Sequence, residues 1–409
     1  MERVALLLST LDTKGLETFY LRDAIKAKGC ECLILDMSMS GEFPGADITA
    51  ADTARAAGTD IEEIRSSRER KKITRQMITG ATQLACDLMN AKRLGGVIGL
   101  GGSTGSLMAT DVMRALPFGV PKLMVSSTAA LPGLATRYIG TGDIAIFHTV
   151  IEISGLSKPL MNLLDRAAAA IVGMCGVDQL TVATARDSGV PLVAMSMFGP
   201  TEHCAHGVRK ILESRGYQVI GFSAAGICDR AMEQMISEGF FDAVVELAPG
   251  GVGEELLGGM RASGQNRLLG ACKMGVPQVI APGGVNLTSP RKSRYKPEHY
   301  DRRKFELDEL RTFLRVSDEE IVAIAEVFGN KLNQATAPVI FLFPSKGWSA
   351  VDHPSSHMYD REQDRLFLST LKKQLCSEKI MVREVDANLE DQAFSDAVAE
   401  ACTEIFSGF

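Results

Sequence analysis

Two stretches of this chain share one layout. VALLLSTLDTKGLETFYLRDAIKAKGCECLILD, from residue 4, and VAMSMFGPTEHCAHGVRKILESRGYQVIGFS, from residue 193, each read strand, turn, helix, glycine, strand. An offset of 187 pairs Ser9 with Ser196, Gly29 with Gly216 and Asp36 with Ser223. Farther along, GVPKLMVSSTA (119–129) matches GVPQVIAPGGV (275–285), and IGLGGSTGS has a counterpart in VELAPGGVG. A repeat of this kind predicts two related units, 1–185 and 186–409.

Short apolar, often β-branched runs alternate with segments of helical spacing throughout. Strands are expected at Val4–Leu8, Cys32–Leu35, Val97–Leu100, Leu123–Val125 and Ile144–Phe147. In the second half they are expected at Leu192–Met195, Val219–Phe222, Ala243–Leu247, Gln278–Ile280 and Val339–Phe343. This alternation specifies an α/β fold of two Rossmann-like units with mostly parallel sheets and a cleft between them. The charged insert near 288–315 interrupts the second unit; it reads as an excursion over a cleft or partner, or as a surface loop.

A formal net charge of −6 gives no reason to expect nucleic acid or an anionic membrane as a partner. The basic run Arg68, Arg70, Lys71, Lys72 and Arg75 reads as a solvated helix face. VALLLS is too short for a signal peptide, and no apolar run approaches a membrane span. The nine scattered cysteines contain no CxxC and read as free thiols of a cytoplasmic protein.

In an open parallel sheet, ligands bind beyond the carboxyl ends of the strands. Polar loops are expected there after the first strand (Thr10, Asp12, Thr13, Lys14) and in the glycine-rich turn Gly101, Gly102, Ser103, Thr104, Gly105. Ser126, Ser127 and Thr128 follow a third strand, with Gly140, Thr141, Gly142 and Asp143 beyond them. Glycine lets backbone N–H groups face a concavity, a following helix adds its positive end, and hydroxyls complete a phosphate cradle. Lys14 is placed to meet a phosphate, and Asp12 or Asp143 to hold Mg²⁺. Asp36, 27 residues after Ser9, stands where Rossmann units place a ribose-binding carboxylate. The loops beginning at Ser9, Gly101, Ser126 and Gly140 are expected to converge on one pocket.

VALLLSTLDTKGLE, LILDMS, VIGLGGSTGS, ALPFGVPKLMVSS, YIGTGDI and MFGPTEHC together resemble the Tm-one-like ATP-binding family. That family includes the inhibitory N-terminal domain of the tomato mosaic virus resistance protein. The resemblance spans nearly the whole chain and implies two Rossmann-like subdomains, ATP at the first, and a homodimer. The alanine-rich stretch Arg166–Met174 could serve that dimer or the core. Departures are Thr104 for a family glycine, Ala248, Pro249, Gly250 and Gly251 for a threonine run, and Ser223, Ala224, Ala225 and Gly226 for His-Ala-Thr-Gly.

In the second half, His203 and His206 lie three apart near a helix start, and His353 and His357 follow a later strand. The stretch APGGVGEE (248–255) reads as a second anion cradle or as helix capping. The function expected is an ATP-dependent transferase or ligase-like enzyme acting on a small metabolite, anionic ones included, with His203, His206 and Glu246 as candidate catalytic groups. Two alternatives stand beside it: a metal-dependent lyase or hydrolase using the second-half histidines, and a non-catalytic nucleotide-binding regulator.

Overall fold

The computed structural model describes residues 3–41, 43–187, 189–309 and 311–406. It divides into unit 1, Met1–Thr181, and unit 2, Val182–Phe409.

Unit 1 opens with β1 (Val4–Ser9), α1 (Leu11–Lys26), β2 (Cys32–Asp36), α2 (Ala50–Ala56), α3 (Ile61–Ser66) and α4 (Arg70–Asn90). It continues with β3 (Leu94–Gly101), α5 (Ser103–Arg114), β4 (Lys122–Ser126), α6 (Leu134–Ile139), β5 (Ala145–His148) and α7 (Lys158–Cys175). The five strands form one parallel sheet in the order β2-β1-β3-β4-β5. β1 is apolar at nearly every position because both of its faces are covered, as parallel sheets require. Ala5 and Leu7 pack with α1 and α7, whereas Leu6 and Leu8 pack with residues of α2 to α5. The alanine-rich stretch of α7 supplies core on one face, where Ala167, Ala168 and Ile171 are fully buried.

Unit 2 begins with α8 (Val182–Arg186), β6 (Leu192–Met197), α9 (Glu202–Ser214), β7 (Gln218–Ser223), α10 (Ile227–Ser237) and β8 (Ala243–Glu246). Next come α11 (Gly251–Leu257), α12 (Leu269–Met274), β9 (Gln278–Ile280), β10 (Leu287–Thr288), β11 (Lys304–Glu306) and β12 (Thr312–Arg315). It closes with α13 (Asp318–Leu332), β13 (Val339–Pro344), α14 (Arg361–Gln374), β14 (Ile380–Val385) and α15 (Gln392–Ile405). Its main sheet is parallel in the order β14-β13-β9-β8-β6-β7. The first three strands of each unit are therefore wound alike, second-first-third. The repeat glycines show why: Gly29 and Gly216 both take left-handed φ, +85° and +87°, just past the helix that follows the first strand of each unit.

All ten expected strands are present. β14 and the small antiparallel sheet β10-β12-β11, formed by the charged insert, are additional. The insert is therefore an ordered part of unit 2, with Thr312–Arg315 buried.

Candidate functional site

In unit 1 the crossovers after β1 and β3 leave on opposite faces of the sheet, so a crevice opens between their carboxyl ends. A cavity of about 530 Å³ lies there. Its walls are Thr10, Asp12, Thr13 and Lys14 after β1, Met39, Ser40 and Gly41 after β2, Gly102 to Gly105 after β3, and Arg70 at the start of α4.

The glycine turn divides into structural and open positions. A Cβ on Gly101 would lie 2.8 Å from the Gly105 Cα, so close packing of β3 on α5 requires glycine there. Gly102 is different. Its φ of −80° suits any residue, and an added Cβ would meet nothing nearer than Ser127 Oγ at 3.8 Å and Glu152 Oε1 at 4.0 Å. Gly102 begins α5 without a side-chain cap, so the first N–H groups of that 12-residue helix have no intrahelical acceptors and point out at its positive end. Behind the turn, Ser106 Oγ lies 3.2 Å from the Gly101 carbonyl oxygen and 2.7 Å from Ser126 Oγ.

Lys14 interrupts α1 with non-helical φ and ψ of −133° and 23°. Its Nζ donates to the Ile153 carbonyl at 2.5 Å and lies 3.4 Å from Glu152 Oε1. Burial pulls the Glu152 carboxyl upward, but the Ser127 hydrogen bond and the Lys14 charge outweigh it and hold the group below its ordinary range. Asp12 accepts the Ser40 N–H through Oδ2 at 3.1 Å while still lining the cavity.

Several expected residues are placed elsewhere. Asp36 is only 4% exposed, and its Oδ1 accepts the N–H groups of Leu11 at 3.1 Å and Ser38 at 2.9 Å and the Ser38 hydroxyl at 2.5 Å. It fixes the start of α1; burial raises its pKa, and it does not line the cavity as a ribose acceptor would. Asp143 lies at the amino end of the sheet, the wrong end for the Mg²⁺ role. There its Oδ1 is 2.5 Å from Nζ of the buried Lys122, first residue of β4, and its Oδ2 accepts Gly119 N–H at 2.9 Å. Gly140, Thr141 and Gly142 sit with it, because α6 reverses the chain and their loop enters β5 instead of leaving a strand. Ser126 is fully buried, Thr128 Oγ1 lies 3.0 Å from the Tyr138 hydroxyl, and Ser127 bonds Glu152; none of the three lines the cavity.

Arg70, Met39, Ser40 and Gly41 line the cavity without having been expected there. The one sequence signal there was the basic run at the start of α4, which reads as a solvated helix face.

Unit 2 fills its equivalent crevice with its own chain. A Cβ on Gly250 would lie 2.3 Å from the Gly284 oxygen, and one on Gly283 would lie 2.2 Å from the Leu247 oxygen. The Arg261 guanidinium sits 4.5 Å from the Phe198 ring centroid and 5.2 Å from that of Phe313. It pairs with the fully buried Glu254 at 2.8 Å. APGGVGEE is thus packed core from Ala248 to Glu254, not an open anion cradle.

Glu246 is not available as a base. Arg267, fully buried, donates to both of its oxygens, from Nη2 at 2.6 Å. Arg267 also lies 3.1 Å from Asp229 and 3.3 Å from Glu233. Desolvation pushes the Glu246 carboxyl up to about 7, with Arg267 opposing and Glu233 assisting.

His203 and His206 are exposed on the first turns of α9, where Glu390 accepts the N–H groups of His203 and Cys204. His353 Nδ1 lies 2.9 Å from Ser355 Oγ, and His357 Nε2 lies 2.9 Å from the Lys304 carbonyl. Among the described residues no three His, Cys, Asp or Glu side chains are grouped to hold a metal ion. The same residues include no helix long and apolar enough to cross a membrane.

Residues 3–179 match the N-terminal domain, and 190–406 the C-terminal domain, of the uncharacterised protein family UPF0261. The chain belongs to the UPF0261 family. A UPF0261 protein of Clostridium tetani is 32% identical over 402 residues, covering 98% of both chains. The tomato (Solanum lycopersicum) ToMV resistance protein Tm-1(GCR237) is 31% identical over 77% of this chain and 42% of its own length. Of solved structures, a UDP-N-acetylglucosamine 2-epimerase aligns with 68% of this UPF0261 chain and 79% of its own, at 10% identity and a TM-score of 0.23. That likeness is too distant to carry an argument.

Proposed function

We propose that unit 1 binds ATP, with the phosphates over the Gly102–Gly105 turn, and that the protein uses the nucleotide in an ATP-dependent reaction on a small metabolite. One observation carries the reading: the cavity at the β1/β3 crevice opens over the first turn of α5, and Gly102 faces open space that neither backbone conformation nor packing demands. Orphan N–H groups, a helix N-terminus and the Ser103 and Thr104 hydroxyls suit phosphate oxygens. The resemblance to an ATP-binding family supports ATP as the nucleotide.

The donor set also fits Mg²⁺, which binds through one or two carboxylates together with phosphate oxygens. Asp12 is the cavity's carboxylate, with Thr10 and Thr13 hydroxyls beside it. The ion would offset phosphate charge, and Lys14 would lend a positive charge to the same wall. A regulator that binds ATP without turning it over is the second reading. It is favoured by the placement of His203, His206 and Glu246, none of which lines this cavity.

Gly102→Val tests the proposal. The added Cβ comes no nearer to protein than 3.8 Å from Ser127 Oγ and 4.0 Å from Glu152 Oε1. The side chain therefore takes up the phosphate space without a clash, and ATP affinity by calorimetry should fall more than about tenfold, roughly 1.4 kcal/mol, with the melting temperature unchanged. Undiminished ATP affinity in a folded variant overturns it.

A further inference from the structure

The side-chain charges around the unit 1 cavity cancel. Lys14 and Arg70 line it as cations and Asp12 as an anion. A second carboxylate, Glu152, stands at its lip, half exposed to solvent or more, with Oε1 4.0 Å from the point that a Cβ on Gly102 would occupy. That point lies in the space over the glycine turn. Among the described residues these charges sum to zero, which leaves the positive end of α5 as the attraction for an anion.

The backbone delivers Glu152 to this position. Beyond β5 the Ile151 N–H donates to the Thr149 carbonyl at 2.6 Å, a γ-turn centred on Val150. Val150 takes a φ of +65°, which strains a β-branched residue, and its side chain is exposed. Ile153, next after Glu152, is fully buried, and the Gly155 N–H donates to Glu17 Oε1 at 2.5 Å. The segment thus runs from the β5 edge back across the ends of β4 and β3. There Ser127 Oγ donates to Glu152 Oε2 at 3.2 Å, and Lys14 Nζ lies 3.4 Å from Oε1. Backbone strain of this kind persists only where the surrounding structure over-determines it, and such places are often functional.

Glu152 is an anion at neutral pH. Against the penalty of partial burial, the Ser127 hydrogen bond and the Lys14 charge hold its carboxyl below the ordinary range. A phosphate over Gly102 would face that carboxylate at close range. Lys14 offsets the repulsion only in part, because its ammonium is already shared with Glu152 and the Ile153 carbonyl. Like charges this close in a solvated site weaken binding by about fivefold or more. A polyphosphate that brings its own divalent ion presents less negative charge and escapes most of that penalty.

Resting on the nucleotide reading of this site, we propose that Glu152 is its specificity-determining residue for charge: it turns away a free polyphosphate and admits one already neutralised by a divalent cation.

Calorimetry with ATP on the full chain, in excess Mg²⁺ and again in EDTA, tests this. The unaltered protein should bind ATP at least about tenfold tighter with Mg²⁺. Glu152→Gln removes the charge and keeps an oxygen that can accept from Ser127. It should raise affinity for ATP in EDTA at least about fivefold, hold affinity with Mg²⁺ within about twofold, and leave adenosine unchanged. Equal ATP affinity with and without Mg²⁺ in the unaltered protein overturns the inference, and needs no variant. So does a Glu152→Gln loss confined to ATP with Mg²⁺, since Glu152 would then be a ligand of the ion. A loss shared by adenosine also overturns it, since Glu152 would then only support the wall. If ATP binds and Gly102→Val abolishes it, while Glu152→Gln leaves the metal dependence as it was, the nucleotide reading stands and this inference alone fails. If ATP binds under neither condition, both fail.

Discussion

At the carboxyl end of β3, a methyl group added to Gly102 would find its nearest neighbours 3.8 and 4.0 Å away. At the carboxyl end of β8, in the same place in the winding of unit 2, a methyl on Gly250 would lie 2.3 Å from the Gly284 oxygen. The strand order creates a crevice in both units, but the residues after the strands decide what occupies it. In unit 1 Gly102, Gly105 and the hydroxyl side chains of Ser103 and Thr104 leave room for a ligand. In unit 2 paired glycines let two loops close backbone to backbone, with Arg261 packed between aromatic rings beside them. Fold alone thus does not identify a site; the loop chemistry does.

The contrast is most exposed to test at Arg267. Removing this guanidinium leaves Asp229, Glu233 and Glu246 buried without their shared counter-charge. Arg267→Ala should destabilise unit 2 by about 3–5 kcal/mol in urea unfolding, while the nucleotide affinity proposed for unit 1 persists. A stability loss below about 1 kcal/mol would mean that the cluster is not the closed ionic core described.

A smaller effect is expected from a matched pair of single-methyl changes. Gly250→Ala should cost unit 2 roughly 1–3 kcal/mol, because the carbonyl it meets belongs to backbone. Gly102→Ala should leave the urea midpoint of unit 1 unchanged. Equal costs at the two positions would erase the distinction between a filled and an open crevice.

The smallest expected effect is a pH response. Burial pushes both Glu246 and Asp364 up to about 7, Asp364 sharing Arg315 with Asp352. Each is raised above its unfolded value, so the folded state holds its proton more tightly. The contribution is complete below the unfolded pKa near 4 and is lost as pH rises through about 7. Unit 2 should therefore be more stable at pH 6 than at pH 8, by on the order of 1 kcal/mol, read from the urea midpoint. A midpoint that stays unchanged between pH 6 and pH 8 would show these carboxyls ionised throughout.

The α/β architecture was legible because buried parallel strands are written as uninterrupted apolar runs, and Gly29 and Gly216 mark matching helix ends. The loops after β1 and β3 were legible for a similar reason: polar residues directly following such a strand lie at its carboxyl end. Asp36 and Asp143 were misplaced because spacing along the chain does not reveal which way a side chain turns or which end of a sheet a loop reaches. A short helix, α6, moved the 140–143 loop to the opposite edge. Arg70 was hidden by its neighbours, since one arginine facing a cavity looks no different in sequence from Lys71 and Lys72 beside it. β14 and the insert's sheet escaped notice because their alternation is partly polar: IMVREV carries two charges in six residues.

The ties of Lys14 also bear on how the protein is made. Its ammonium is held by partners 138 and 139 residues downstream, and Glu17 is joined to the Gly155 N–H across another 138. Contacts of such sequence separation form late, because the intervening loop must be closed before they contribute. During synthesis from the N-terminus, β1, α1 and the glycine turn emerge well before the segment that secures Lys14. A nascent chain paused ahead of Glu152 would carry the turn without its anchored lysine, so the site is completed only when translation has passed the whole of β5.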